Sequence, residues 1–127
     1  VEPNQIMSAF LTPNDSSYSQ MWHYFEAAGG ANLPTAWDTA TGTGVVVAVL
    51  DTGIANHTDL NANVVAGYDF VSNATNARDG NGRDSNPADQ GDWVTAGQCY
   101  SGSPASNSSW HGTHVAGTAM GNQIGDV

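Results

Sequence analysis

The sequence predicts an α/β fold in which a mostly parallel sheet is flanked by helices. Residues 44–50 form an apolar, largely β-branched run without alternation, typical of a strand buried on both faces. The run ends at Asp51, before turn-forming residues, and functional groups collect at such strand ends in parallel sheets. Residues 110–120 place small and apolar residues on one side of a predicted helix.

The remaining elements are weaker. Residues 1–43 predict an irregular N-terminal arm packed by its aromatic side chains, with a helical turn near residues 19–25. A short helix is predicted over residues 34–38, with Asn32 as its cap. Residues 64–70 predict a second strand.

Residues 72–109 are nearly all turn formers and are predicted to be a long acidic insert. A loop of this length needs a scaffold of its own, and bound metal is the usual one. Ser108 or Ser109 is expected to cap the helix that follows. The predicted segments are thus residues 1–43, 44–71, 72–109 and 110–127.

The charge balance excludes two classes of partner. The 127 residues hold 12 acidic and 2 basic side chains, Arg78 and Arg83, for a formal net charge of −10. Such a chain is repelled by nucleic-acid phosphates and by anionic membranes. Charged residues are only 11% of the total, too few for a disordered acidic tail.

Asp51 and His111 are the candidate catalytic residues. Each also has a simpler explanation. Asp51 could be no more than a turn residue that ends a strand, and His111 could be no more than a helix cap or a core residue. Together, however, a carboxylate at a strand end and an imidazole at a helix start can meet. The carboxylate would then fix the tautomer and leave the other ring nitrogen to act as a base.

The residues around this pair resemble two motifs of the subtilisin-like serine proteases (subtilases, peptidase family S8). Residues 47–54 and 57–60 resemble the aspartate motif of the family, and residues 111–118, His-Gly-Thr-His-Val-Ala-Gly-Thr, match its histidine motif. The N-terminal arm resembles the start of mature secreted bacterial subtilases. The acidic insert most resembles that of extracellular proteases of Gram-negative bacteria such as the Dichelobacter and Xanthomonas types.

The resemblance implies a doubly wound, mostly parallel subtilisin-like fold and assigns roles to single residues. Asp51 would orient and stabilise the imidazolium, and His111 would be the general base and then the acid. His114 would be structural. Gly112 and Gly117 would allow close packing of the helix on the sheet.

The nucleophile motif of the family, Gly-Thr-Ser-Met-Ala, does not occur in these residues. We therefore expect the N-terminal part of a secreted serine endopeptidase, inactive by itself and partnered by the remaining Ser-bearing portion, with protein or peptide substrates. The alternative is a non-catalytic, calcium-binding secreted module that retains the fold.

The resemblance also implies one Ca²⁺ site. Side chains would come from the arm, from the residue after the aspartate motif and from the loop after the helix, and alternate carbonyls of that loop would complete an all-oxygen set. The candidate ligands are Asp15, Asp59, Met120, Asn122, Ile124 and Asp126.

A second Ca²⁺ site is possible in the acidic insert, because four carboxylates lie close together in sequence with little positive charge to offset them. The pattern is not an EF-hand, and a solvated acidic loop is the alternative. The candidate residues are Asp79, Arg83, Asp84, Asp89 and Asp92.

Two further expectations concern single features. His111 and His114 are three apart with no Glu after the first, which argues against a zinc protease site. Cys99 is the single cysteine, and in a secreted protein it predicts a disulfide to a cysteine outside these residues.

Overall fold

The computed structural model describes residues 12–120, which fall into two compact units, residues 12–47 and residues 48–120. A 3₁₀ turn spans Tyr18–Gln20, and the α-helices are α1 (Trp22–Phe25), α2 (Leu33–Trp37), α3 (Ala74–Ala77) and α4 (His111–Met120).

Aromatic packing organises the first unit. The rings of Tyr18 and Phe25 lie 5.4 Å apart, and Tyr24, which is buried, lies 6.5 Å from Trp37. The helical turn predicted near residues 19–25 is therefore confirmed, and α1 and α2 contact each other through these rings.

The predicted short helix is confirmed as α2, but its cap differs from the prediction. Asn32 occupies the N-cap position in a left-handed conformation, with φ of 50°, and its side chain accepts no backbone hydrogen bond. It accepts instead from the Thr35 hydroxyl at 3.2 Å. Pro34 lies in the first turn of α2, where its missing N–H costs nothing.

Neither predicted strand is paired into a sheet within residues 12–120. Residues 44–50 pair with no strand in residues 12–120, and Val46 and Leu50 are 75% and 88% exposed. A parallel strand needs neighbours at its edges and helices on its faces, and the described residues supply neither here. Residues 64–70 form only one isolated bridge, from Asp69 to Asp84.

Residues 72–109 fold back on the second unit with more local structure than a loop prediction implies. Isolated bridges join Ile54 to Ala88 and Val94 to Ser106. The helix α3 lies inside this segment and was not predicted. Its cap is Asn73, whose carboxamide oxygen accepts from the backbone N–H groups at positions 75 and 76 at 3.0 and 3.1 Å.

The predicted helix after the insert is confirmed as α4. Gly112 and Ala116 are its buried residues. The predicted cap is seen at Ser109, whose hydroxyl accepts from the His111 N–H at 3.3 Å. None of the helices within residues 12–120 has the length and apolar character needed to cross a membrane.

Candidate active site

Asp51 and His111 meet in the second unit. Nδ1 of His111 lies 2.8 Å from each carboxylate oxygen of Asp51, so Nδ1–H donates to the carboxylate. This contact spans 60 residues of sequence and brings together the two residues that the sequence selected. The structure therefore forms the predicted pair, with the geometry of an oriented imidazole.

The pair is electrostatically asymmetric. The hydrogen bond from His111, followed by that from the Thr52 backbone N–H at 2.7 Å, holds the pKa of Asp51 below its usual value of 3.8. The Asp51 side chain is 16% exposed, whereas that of His111 is 62% exposed. A charged carboxylate thus faces one side of the ring, and the rest of the ring is accessible to a reacting group.

Close backbone approach makes this contact possible. A β-carbon on Gly112 would lie 2.4 Å from the Gly53 carbonyl oxygen and 3.1 Å from Cβ of Asp51. The predicted close packing is therefore seen at Gly112. It is not seen at Gly117, where a β-carbon would make only an ordinary 4.0 Å contact with Leu60.

Residues of the acidic insert form hydrogen bonds with neighbours of Asp51 and of His111. Asp89 accepts from the Thr52 hydroxyl at 2.8 Å, and Thr52 in turn accepts from the Gly112 N–H at 3.0 Å. Asp92 accepts from the backbone N–H and the hydroxyl of Ser109 at 2.6 and 2.9 Å. These contacts were not predicted, because no local sequence pattern links positions so far apart.

The residues proposed for a second calcium site do not converge in the structure. Asp79 and Asp84 accept from N–H groups two residues ahead, at 3.1 and 2.8 Å, and Asp89 and Asp92 are bound as described above. Residues 12–120 hold no group of three His, Cys, Asp or Glu side chains able to bind a metal. Ca²⁺ also binds carboxamide and backbone carbonyl oxygens, so the second site stays a prediction.

Arg83 is not a metal ligand in its side chain. Its guanidinium, which is cationic and has only donors, lies over the ring of Phe70 at 5.4 Å from the centroid. Only its backbone carbonyl could contribute to the second candidate site, and that contribution stays a prediction.

The first predicted calcium set is only partly within the described residues. Asp15 belongs to the first unit, Asp59 and Met120 belong to the second, and Asn122, Ile124 and Asp126 lie outside the described residues. Asn63 donates its side-chain amide to the Met120 carbonyl at 2.9 Å. The end of α4 is thus bound to the turn that follows Asp59.

Cys99 is exposed and its thiol is free. Because the sequence holds one cysteine, no disulfide forms within residues 1–127, and the predicted bond to a cysteine outside them is not shown. His114 is exposed, and its carbonyl accepts from the Thr118 hydroxyl at 3.0 Å.

The comparisons with known proteins agree with the motifs. The family model described as "Subtilase family" matches residues 42–126. The chain is 63% identical over 118 residues to an extracellular protease of Xanthomonas campestris, a match that covers 93% of this chain and 20% of that protein. It is 51% identical over 124 residues to an extracellular basic protease of Dichelobacter nodosus, with the same coverage. The chain thus spans about a fifth of the length of these relatives.

A solved structure also matches. It is described as proteases from Pseudoalteromonas arctica, with a TM-score of 0.82 and 63% identity, and the match covers 87% of this chain and 32% of that one. This likeness confirms the predicted α/β subtilisin-like fold class, although residues 12–120 contain isolated β-bridges and no extended strand.

Proposed function

The chain belongs to the subtilase family, and on that premise we propose that it carries two members of a Ser-His-Asp triad in a secreted serine endopeptidase. The observation that carries the proposal is the pair of 2.8 Å contacts between Nδ1 of His111 and the Asp51 carboxylate. The same contacts favour an enzyme over a non-catalytic module, because a structural histidine needs no charged carboxylate against an accessible ring.

In this mechanism His111 moves protons and Asp51 controls its state. With Nδ1–H donated to Asp51, the Nε2 lone pair of His111 takes the proton of the attacking serine hydroxyl. The resulting imidazolium is stabilised by the carboxylate and then gives its proton to the leaving amine. The depressed pKa of Asp51 keeps that carboxylate charged throughout the neutral range.

The 127 residues do not contain the family's nucleophile motif. We assign it to a Ser-bearing portion of the protease, so residues 1–127 alone are inactive. The segments follow from this division: an arm over residues 1–43, the Asp51 segment over 44–71, the insert over 72–109, and the His111 segment over 110–127.

Secretion and substrate class follow from the relatives. The two curated relatives are named extracellular proteases, so the same location and protein or peptide substrates are assigned to this chain.

One Ca²⁺ ion completes the proposal. Asp59 and the Met120 carbonyl offer hard oxygen donors in elements joined by Asn63, which fits a calcium ion better than zinc. Bound there, the ion would tie the end of α4 to the turn beside it. Asp15, Asn122, Ile124 and Asp126 would complete its ligands.

The test uses the full-length protein and a fluorophosphonate, which labels only an activated serine. Wild type should be labelled and should cleave a peptide substrate. His111→Ala removes the base and should lower kcat on the order of 10⁶-fold, whereas Asp51→Asn removes only its orientation and should lower kcat on the order of 10⁴-fold. His114→Ala, the matched histidine control, should still be labelled.

Two results would contradict the proposal. Failure of the folded, full-length protein to react with the reagent would favour the non-catalytic module. Labelling and turnover that survive His111→Ala would show that another residue is the base.

A further inference from the structure

Two hydroxyl groups accept from the first two backbone N–H groups of α4. Ser109 Oγ accepts from the His111 N–H at 3.3 Å, and Thr52 Oγ1 accepts from the Gly112 N–H at 3.0 Å. A hydroxyl has one proton, so each must point that proton away from the helix to present a lone pair to it. The groups that accept hydrogen bonds from these hydroxyls therefore decide whether the hydroxyls can accept from the first N–H groups of α4.

Carboxylates of the insert accept a hydrogen bond from each of the two hydroxyls. Asp92 Oδ2 lies 2.9 Å from Ser109 Oγ, and Asp89 Oδ2 lies 2.8 Å from Thr52 Oγ1. A carboxylate accepts only, so each contact has one possible direction. Each acid thereby fixes its hydroxyl as an acceptor for α4.

The second oxygen of each carboxylate is anchored as well. Asp92 Oδ1 accepts from the Ser109 N–H at 2.6 Å, and Asp89 Oδ1 accepts from the Gly91 N–H at 2.7 Å. Asp89 is also tied to the segment after Asp51, because its own N–H donates to the Ile54 carbonyl at 3.1 Å. Neither carboxylate can turn without breaking a backbone contact.

The backbone beside His111 needs such support. Trp110 adopts a left-handed conformation, with φ of 51°, which a bulky L-residue adopts only at an energetic cost. Trp110 lies between Ser109, which Asp92 holds, and His111. The two hydrogen bonds from Ser109 to Asp92 thus fix the chain on the N-terminal side of the strained residue.

We propose that Asp89 and Asp92 are positioning residues for the Asp51–His111 pair, acting through the hydroxyls of Thr52 and Ser109. The inference rests on the proposed function of that pair and deepens it. Through these hydrogen bonds, the two acids of the insert set the orientation of the imidazole. Because small displacements of a catalytic group have large effects on rate, they should matter for kcat more than for substrate binding.

The test compares Asp89→Asn and Asp92→Asn in the full-length protease, with kcat expressed per active site titrated by a fluorophosphonate. Each amide keeps its oxygen on the anchoring backbone N–H, so its NH₂ group faces the hydroxyl and reverses the direction of that hydrogen bond. Each variant should lower kcat about tenfold and leave KM within about twofold.

Asp69→Asn is the matched control. Asp69 lies in the same unit and accepts from the Val71 N–H at 2.6 Å, in a turn that an Asn side chain can also make. Its kcat should stay within about twofold of wild type.

A double-mutant cycle separates positioning from general loosening. Ser109→Ala removes the hydroxyl through which Asp92 acts, so adding Asp92→Asn to it should cause little further loss of kcat. Losses that multiply would overturn the inference, as would kcat values of Asp89→Asn and Asp92→Asn equal to that of Asp69→Asn. An active His111→Ala enzyme would instead overturn the proposed function itself.

Discussion

Gly112 lies so close to Gly53 that a β-carbon added to Gly112 would be 2.4 Å from the Gly53 carbonyl oxygen. Real β-carbons do not approach a backbone oxygen this closely, so the first turn of α4 can pack here only with a glycine. The residues before these two glycines are Asp51-Thr52 and His111. The approach of the two backbones is therefore what brings the carboxylate within hydrogen-bonding distance of the imidazole.

Gly112→Ala should separate the pair, and Gly117→Ala is its control in the same helix. The first change forces a backbone shift and should destabilise the full-length protein by about 1–3 kcal/mol and lower kcat. The second adds a methyl group in ordinary contact distance of Leu60 and should stabilise the helix by roughly 0.5–1 kcal/mol. Chemical denaturation and peptide hydrolysis would measure both, and equal effects of the two substitutions would contradict the packing argument.

The pair Asp51 and His111 could be predicted from sequence because each lies inside a long local motif. The residues that hold them could not. Asp89 and Asp92 were predicted as calcium ligands because sequence shows acids that are close along the chain, and hydrogen bonds to positions 37 and 17 residues away leave no local pattern.

The predicted buried strand is not paired within residues 12–120 for a different reason. The apolar residues at 44–50 indicate that this segment is suited to burial. Whether it is buried depends on the elements that pack beside it. Val46, at 75% exposed, has no such cover in the described part of the chain. The helix α4 was predictable because its ten residues satisfy many of their own backbone hydrogen bonds, and α2 was predictable from Pro34 in its first turn.

Arg78 should be the residue on which the fold of the insert depends most. Its guanidinium donates to the carbonyls of Gly91 and Trp93 and lies 4.3 Å from the centroid of the Trp93 ring. A lysine ammonium cannot reproduce the paired hydrogen bonds to two carbonyls together with stacking on the ring. Arg78→Lys should therefore increase hydrogen exchange and proteolysis over residues 78–93. Arg83→Lys, at an exposed site, should leave both unchanged. Equal protection in the two variants would show that charge alone suffices.

Calcium removal should affect stability without loosening the insert. If the ion binds at Asp59 and the end of α4, saturation at roughly 100 times Kd contributes about 2.7 kcal/mol, so a chelator should lower the Tm of the full-length protein. Asp59→Asn should reduce that shift. Protease sensitivity within residues 78–109 should not respond to the chelator, because the carboxylates there are bound by protein donors. A chelator-induced cut in the insert would instead support a second ion.

Residues 1–127 expressed alone should show no cooperative thermal transition. Among residues 12–120 the buried apolar side chains are Pro13, Tyr24, Leu60, Ala77 and Ala116, a small set that includes two alanines. Against this, Leu50 is 88% exposed and Phe70 is 67% exposed. So little apolar burial should not offset the conformational entropy of the chain. A sharp calorimetric transition in the isolated polypeptide would refute this.

Low pH should lower the stability of the folded protein by protonating Asp92. The Ser109 backbone N–H, then the Ser109 hydroxyl, lower the pKa of Asp92 below its ordinary value of 3.8 in the folded state. Its stabilising contribution is therefore complete above that value and is lost as the pH falls through the lowered pKa. Asp92→Asn should have a lower Tm than wild type at pH 6, and the difference should shrink below about pH 3.8. Ser109→Ala retains the backbone donor and should show a smaller change of the same sign. A Tm difference between wild type and Asp92→Asn that is constant with pH would mean that the charge of Asp92 contributes nothing to these two hydrogen bonds.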